Sequence, residues 1–290
     1  MATDLKDLLR DTRTRFENAA IDRVDAELIL AHVLGIERMQ LHAQTFQLTS
    51  EQEELFEELV NSRISGVPTQ YLIGEAPFRY LTFSVGPGVL IPRPETELLV
   101  DAAMVEIERL KSSFNATTSA VSVVDLGAGS GAISISIAHE ARQRSLAVQV
   151  VAVEKSDAAL EWLKKNIARH DVDVRVIHSD VRDALIDVKC DIVVANPPYV
   201  PNDSLLPPLV LENEPHEALF SGPGEGLEVP QRFIEAATRL LKPGGALILE
   251  HFEDQSAALE QLLSQDYSDI SHYKDLNQRP RWLTARRKDR

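Results

Sequence analysis

The stretch Val121-Ser122-Val123-Val124-Asp125-Leu126-Gly127-Ala128-Gly129-Ser130-Gly131-Ala132 decides the fold. A short β-branched apolar run, closed by alternating glycines and followed by the apolar-periodic segment Ala132 to Glu140, reads as buried strand, tight loop and helix. Glycines at alternate positions let the backbone turn sharply and approach a ligand, since no side chain stands in the way. The spacing Gly-x-Gly-x-Gly differs from the dinucleotide fingerprint, and many α/β proteins carry such a loop.

Outward from this stretch the same alternation continues. Strands are predicted at Val121 to Leu126, Val148 to Val153, Val174 to His178, Asp191 to Ala195 and Ala246 to His251, with a closing strand at Trp282 to Ala285. Helices are expected after most of them, and Leu240 to Gly245 reads as a helix end and turn. Such alternation means a doubly wound, mostly parallel sheet, whose ligands bind at the carboxyl ends of the strands. Four features stand at such ends: the loop Gly127, Ala128, Gly129, Ser130 and Gly131; Glu154; Asp180 with Val181 after it; and Asn196. Glu154, roughly twenty residues beyond the loop, is placed to accept from ribose hydroxyls. Asp180 is placed to accept from an adenine amino group. Singly, Glu154 reads equally well as a helix N-cap or a solvated carboxylate, and Asp180 reads more readily as one of these. Together they point to an adenosine-bearing cofactor.

Asn196-Pro197-Pro198-Tyr199 follows the apolar run Asp191 to Ala195, and the double proline stops that strand, because proline cannot donate to a ladder. The Asn196 amide and the Pro197 carbonyl offer acceptors and Tyr199 offers a flat ring, a set suited to holding a planar NH2 group. Two acceptors taking the two N–H bonds would aim the delocalised nitrogen lone pair at an electrophilic methyl group and stabilise the charge that develops on nitrogen. A nicotinamide cofactor would need a pyrophosphate site and a hydride partner. S-adenosylmethionine satisfies both the adenosine half and the clamp.

The first 66 residues read as helices. Leu5, Leu8, Leu9 and Phe16 share one face, Val24, Leu28, Ile29, Val33 and Leu34 another before Gly35 as a C-cap, and Ser50 to Glu53 reads as a capping box opening a third helix with Leu55, Phe56, Leu59, Val60 and Ile64, closed by Gly66. His32 and His42 read as packing or surface residues. Residues 67–92 read as a hairpin connection, and Pro94 with nearby acids opens a helix through Leu110. Ser112 to Ser119 is a polar break. The division expected is a helical bundle over 1–70, a hairpin linker over 71–92 and a cofactor domain over 93–290.

With 290 residues, 44% hydrophobic and 26% charged, the chain has the composition of an ordinary globular protein. A formal charge of −15 argues against a broad basic surface for duplex DNA or an anionic membrane. Arg279, Arg281, Arg286, Arg287, Lys288 and Arg290 form a local basic run that reads as a solvated tail. The single cysteine, Cys190, heads a strand as a small core residue and leaves no internal disulfide, and no Cys/His pair has zinc-ligand spacing, so no metal is expected. The opening Met-Ala-Thr-Asp-Leu-Lys lacks the apolar core of a signal peptide, and no run reaches membrane-spanning length. A cytoplasmic monomer is expected, in which the glycosylation triplets at Asn115 and Asn202 are chance matches.

With these residues in hand the chain resembles the HemK/PrmC family, methyltransferases that modify the glutamine side-chain nitrogen in the Gly-Gly-Gln loop of peptide-chain release factors. The resemblance rests on Gly74-Glu75-Ala76-Pro77-Phe78, on Leu90-Ile91-Pro92-Arg93-Pro94-Glu95-Thr96-Glu97, on the Asp125 to Gly131 loop and on Asn196 to Tyr199. It extends to Glu214-Pro215, Ala218-Leu219, Gly226-Leu227, Leu249-Glu250-His251 and Gln255. It implies a class I, Rossmann-like S-adenosylmethionine-dependent domain behind a helical domain that helps seat the release factor. By position it assigns Gly127 to Gly131 and Glu154 to the cofactor, and Asn196, Pro197 and Tyr199 to the substrate glutamine. Val181 stands where some members carry a large aromatic, and Gln278 where the family often has glycine.

Two other readings compete. An adenine amino methyltransferase would clamp a flipped-out NH2 in the same way, but it calls for a basic target-recognition region. The N-terminal segment instead holds Asp4, Asp11, Glu17, Asp22, Asp25, Glu27, Glu51, Glu53, Glu54, Glu57 and Glu58. A non-catalytic binding factor would have no use for an intact clamp.

Overall fold

The computed structural model describes residues 5–43, 46–113 and 119–289. Asp4, Asn115, Arg290 and the middle of the polar break lie outside the described residues. The chain divides into two compact units, Met1–Glu75 with Leu206–Asn213, and Ala76–Leu205 with Glu214–Arg290.

The first unit is helical, with helices Leu5–Asn18, Val24–Leu34, Gln40–Ala43, Ser50–Ile64 and Thr69–Ile73. Its core is Phe16, Ala26, Ile29, Leu30, Val33, Phe56 and Val60, flanked by Leu5, Leu8, Leu9 and Leu59. Gly35 takes the left-handed conformation that ends the second helix, at φ +65°. Three readings need correction. Ser50–Ile64 is the fourth helix, because Gln40–Ala43 forms a turn of its own. Its N-cap is Thr49: Thr49 and Ser50 each stand three residues before a Glu or Gln, and the extended residue is Thr49, whose side chain accepts from the Gln52 N–H while its own N–H donates to the Gln52 side chain at 3.0 Å. Leu55 and Ile64 stay exposed at 42% and 38%, so the buried stripe of that helix is Phe56 and Val60.

A two-stranded sheet follows, of β1 (Glu75–Phe78), whose first residue ends the first unit, and β2 (Leu81–Ser84). A 3-10 turn over Pro94–Thr96 leads into the helix Glu97–Ser113. The main sheet contains β3 (Val121–Leu126), β4 (Val148–Glu154), β5 (Val174–His178), β6 (Cys190–Ala195), β7 (Leu241–Glu250), β8 (Tyr267–Lys274) and β9 (Pro280–Arg287), in the order β5-β4-β3-β6-β7-β9-β8. The first five strands in that order pair in parallel, and β9 runs antiparallel between β7 and β8. The doubly wound, mostly parallel sheet expected from the alternation is therefore present. Cys190 is a core residue, 1% exposed, and burial pushes its thiol up to about 12. Among the described residues no helix is long and apolar enough to cross a membrane.

The strand β7 begins earlier than the apolar run suggests. Lys242-Pro243-Gly244-Gly245 reads as a turn but lies inside the ladder, where Cys190 pairs with Leu241 and the register shifts before Ile192 pairs with Ala246. Gly244, at φ +75°, absorbs that irregularity. The strand β8 escapes the sequence pattern because Ser268, Asp269, Ser271 and His272 make it polar, and its pairing with β9 is what defines it. Of the closing cations, Arg286 and Arg287 are not part of a solvated tail: Arg286 donates to Glu106 at 2.6 Å and Arg287 pairs with Asp266 at 3.2 Å from within β9.

The turn between β8 and β9 accounts for one departure from the family pattern. Asp275 accepts from the Asn277 and Arg279 amides at 2.8 and 3.0 Å, which forces Gln278 to φ +64°. A side chain in the left-handed region is strained, whereas glycine is not. Replacing Gln278 by Gly is expected to stabilise the protein by about 0.5–1 kcal/mol. Denaturant unfolding of the two proteins measures it, and a destabilised variant would contradict the strain.

Candidate active site

The chain runs from β3 outward through β4 to β5, then returns to the other side of β3 as β6, so the sheet reverses its direction of winding between β3 and β6. A reversal of this kind opens a crevice at the strand ends. Leu126 pairs with Val153 on one side and with Ala195 on the other. That register sets Gly127, Glu154 and Asn196 side by side just past the sheet edge.

The glycine loop is fixed from below. The Gly127 and Ala128 amides donate to the Val153 carbonyl at 2.9 and 3.0 Å, and a Cβ on Gly131 would come within 2.5 Å of Leu163 and 2.7 Å of Ile135. Gly129, in contrast, has open space where its Cβ would be. The loop is thus packed on its core side and bare toward the cleft, a cradle that suits close backbone approach by a ligand. Behind it Asp125 is fully buried, with Oδ2 accepting from the Ser134 amide at 3.0 Å and Oδ1 without a partner; burial pushes its carboxyl up to about 7.

A cleft of about 270 Å³ collects most of the sequence-derived residues. Gly127, Ala128, Gly129, Ser130, Glu154, Asp180, Val181, Asn196 and Pro198 line it. Gly131, Pro197 and Tyr199 do not: Gly131 faces the core, Pro197 is buried, and Tyr199 lies behind the cleft with its ring 6.4 Å from that of Phe252. The Glu154 carboxylate accepts from the Gly129, Lys155 and Ser156 amides, each at 2.8 Å. Of its roughly four acceptor positions this leaves about one toward the cleft. Asp180 is engaged by the Arg182 guanidinium, at 2.9 Å from each oxygen, and by the Arg182 amide, a pairing that pulls its carboxyl down to about 2.

The N-terminal stretch 7–74 matches the family model described as the PrmC N-terminal domain, and 103–212 matches the methyltransferase small domain. A release factor glutamine methyltransferase of Mycolicibacterium smegmatis is 39% identical over 274 residues, 92% of each chain. That of Streptomyces coelicolor is 35% identical over 91% of each. The chain belongs to the release factor glutamine methyltransferase family. Among solved structures, the T. thermophilus 16S rRNA N2 G1207 methyltransferase in complex with AdoMet and guanosine is similar with a TM-score of 0.51 and 25% identity, over 74% of this chain and 50% of that one. The relatives favour the glutamine reading over the adenine one.

In this methyltransferase Asn196 and Tyr199 are tied into a buried polar chain. Asn196 Nδ2 donates to Thr96 Oγ1 at 3.0 Å, Thr96 Oγ1 donates to Glu250 Oε2 at 2.7 Å, and the Tyr199 hydroxyl donates to Glu250 Oε1 at 2.9 Å. The Gln255 amide holds the same segment by donating to the Tyr199 and Glu225 carbonyls at 2.9 and 2.7 Å. On the opposite wall Arg93 lines the cleft while its guanidinium is held by buried Glu214 at 2.5 Å. Asn166, fully buried, ties β2 to the loop by donating to the Ser84 and Ser130 carbonyls at 3.0 and 2.9 Å.

The sequence pattern marks the residues at the ends of β3, β4, β5 and β6 but gives Thr96, Glu214, Glu250 and Asn166 no role. One signal was available for Glu250: it is an acid at the carboxyl end of a buried strand, like Glu154. Thr96 and Asn166 act across 100 and 82 residues, and no local pattern marks them.

Burial raises the Glu250 carboxyl from the ordinary range to about 7, against the pull of Thr96, Tyr199 and Arg281. A carboxyl whose pKa is raised by folding holds its proton longer in the native state, so the stability it lends is complete below the unfolded value and is lost as pH rises through about 7. Glu250→Gln removes this titration. Its stability is expected to fall less than the parent's between about pH 5 and pH 8, by on the order of 1 kcal/mol or more. Parallel unfolding curves for parent and variant would rule this out.

Proposed function

We propose that the chain transfers a methyl group from S-adenosylmethionine to the side-chain amide nitrogen, N5, of the glutamine in the Gly-Gly-Gln motif of peptide-chain release factors, and so modulates translation termination in the cytoplasm. The observation that carries this reading is the orientation of Asn196: its Nδ2 is committed to Thr96, which leaves Oδ1 as the acceptor for an incoming NH2 group.

The open face of the Gly127 to Gly131 loop fits close approach by the cofactor, with Glu154 accepting from its ribose and Asp180 and Val181 bordering its adenine. When bound, S-adenosylmethionine supplies an electrophilic methyl group. Asn196 Oδ1 and the Pro197 carbonyl accept the two amide hydrogens of the glutamine, so the amide plane is fixed and its nitrogen lone pair is aimed along one line. Charge that develops on that nitrogen is stabilised by the same two acceptors, in a site that Phe220 and Phe233 help to keep dry. Pro198 shapes the wall, and Tyr199 supports the clamp through Glu250 and its packing. The new N–C bond forms as the methyl–sulfur bond breaks, leaving S-adenosylhomocysteine. No base is needed beforehand, because the amide nitrogen becomes strongly acidic only as that bond forms, and its surplus proton then passes to water. The N-terminal helical unit seats the release factor, in keeping with its match to the family's N-terminal model.

Asn196→Ala is expected to lower turnover about 100- to 1000-fold, the equivalent of about 2–4 kcal/mol, while calorimetric affinity for S-adenosylmethionine stays near that of the parent. Glu154→Ala is expected to weaken that affinity at least tenfold, since it loses a ligand contact and also frees the Gly129 amide. The reaction itself is tested by incubating the protein with S-adenosylmethionine, an unmodified bacterial release factor and, in parallel, plasmid DNA, then mapping the methyl group by peptide mass spectrometry. One methyl on the Gly-Gly-Gln glutamine is the expected result. Methyl on adenine, or on neither, would overturn the substrate assignment.

A further inference from the structure

The two ends of a carboxamide have nearly the same shape and opposite hydrogen-bonding character, so a clamp built on asparagine works in only one of two orientations. With Oδ1 facing the cleft Asn196 accepts from a substrate NH2, and with Nδ2 facing it two donors would meet. Sterics do not choose between these states. The choice has to come from the groups behind the amide.

We infer that Thr96 and Glu250 are positioning residues that fix the orientation of the Asn196 amide and thereby set the polarity of the clamp. The inference rests on the reading of Asn196 as the acceptor for the glutamine NH2. Thr96 alone cannot choose, because a hydroxyl both donates and accepts. Glu250 settles the direction: as a carboxylate it is an acceptor only, and its Oε2 lies 2.7 Å from Thr96 Oγ1, so the single Thr96 hydrogen goes to Glu250. The hydroxyl can then only accept from Asn196, which must present Nδ2 at 3.0 Å and leave Oδ1 to the cleft.

The carboxylate is itself held in place. Tyr199 donates to its other oxygen at 2.9 Å, and the Arg281 guanidinium of β9 favours its charged form, while burial and Glu95 oppose it. Thr96 and Glu250 are 4% and 1% exposed, so bulk solvent does not compete for these bonds. The three members come from separate elements, the 3-10 turn, the end of β7 and the end of β6. Nothing local in the chain requires them to meet, and each is satisfied only through the next.

The test uses the full chain, an intact unmodified release factor and S-adenosylmethionine at about pH 8, where Glu250 is ionised. Thr96→Val keeps the shape and removes the hydroxyl. It is expected to lower kcat by about 10- to 100-fold with KM for the release factor and the calorimetric Kd for S-adenosylmethionine changed by no more than about twofold. Thr96→Ser, which retains the hydroxyl, is expected to restore most of the rate. Thr96→Ala repeats the loss with a smaller side chain should valine crowd the turn. In an Asn196→Ala background the Thr96→Val change is expected to cost no more than about a further twofold, because the residue it positions is gone. Parental kcat in a folded Thr96→Val or Thr96→Ala protein, or a fully additive loss in the double variant, would overturn the inference. Full activity in Asn196→Ala alone would instead remove the clamp reading on which it rests, so the two failures are told apart.

Discussion

The register of β6 against β3 is the constraint on which the site depends. Because Leu126 and Ala195 are paired, Gly127 of the loop and Asn196 leave the sheet as neighbours, although 69 residues separate them in the chain. A slip of one residue in a parallel ladder would turn every side chain of the slipped strand to the opposite face. Val123, Val124, Ile192 and Val193 are each no more than 1% exposed, so that slip would also cost much of the buried apolar contact on both sides of the sheet. The same packing that makes the sheet stable therefore sets the spacing between the glycine loop and Asn196.

Much of the sheet is legible in the sequence alone. Apolar runs of five or six residues bounded by glycine or proline located β3 to β6, and the rule that ligands gather at strand ends led from those runs to Glu154, Asp180 and Asn196. What could not be read follows from the range of the interactions. The cap at Thr49 rather than Ser50 depended on which of two overlapping four-residue patterns took the extended conformation. The strand β8 has too little apolar character to announce itself and exists because β9 offers it a ladder. Thr96 and Glu250 lie in segments that the family resemblance singled out, but their hydrogen bonds span 100 and 154 residues, and only the folded chain brings them together.

The polar interior behind the cleft runs against the usual preference for apolar cores. Asp125, Glu154, Asn166, Glu214, Glu250 and Gln255 are all below 9% exposed, which is unfavourable unless their atoms find partners. Most do, and the partners are the backbone of the glycine loop, the loop at Glu225 and the clamp itself. Residues of this kind hold a site to one geometry more than they add to overall stability.

The chain order of the first unit has a further consequence. Its apolar core comes entirely from the first 75 residues, yet Leu206–Asn213 returns to it, and Asn213 donates to the Gly66 carbonyl at 2.9 Å where the long helix has ended. During synthesis the N-terminal bundle can collapse early, while its last tie waits until β3 to β6 have left the ribosome. The segment that completes the N-terminal helical unit also directly follows the Asn-Pro-Pro-Tyr strand end and its loop, so the birth order of the polypeptide links maturation of the one to emergence of the other. Neither unit is finished by a contiguous piece of chain, and a cut at the apparent boundary would leave each with a missing or an orphaned part.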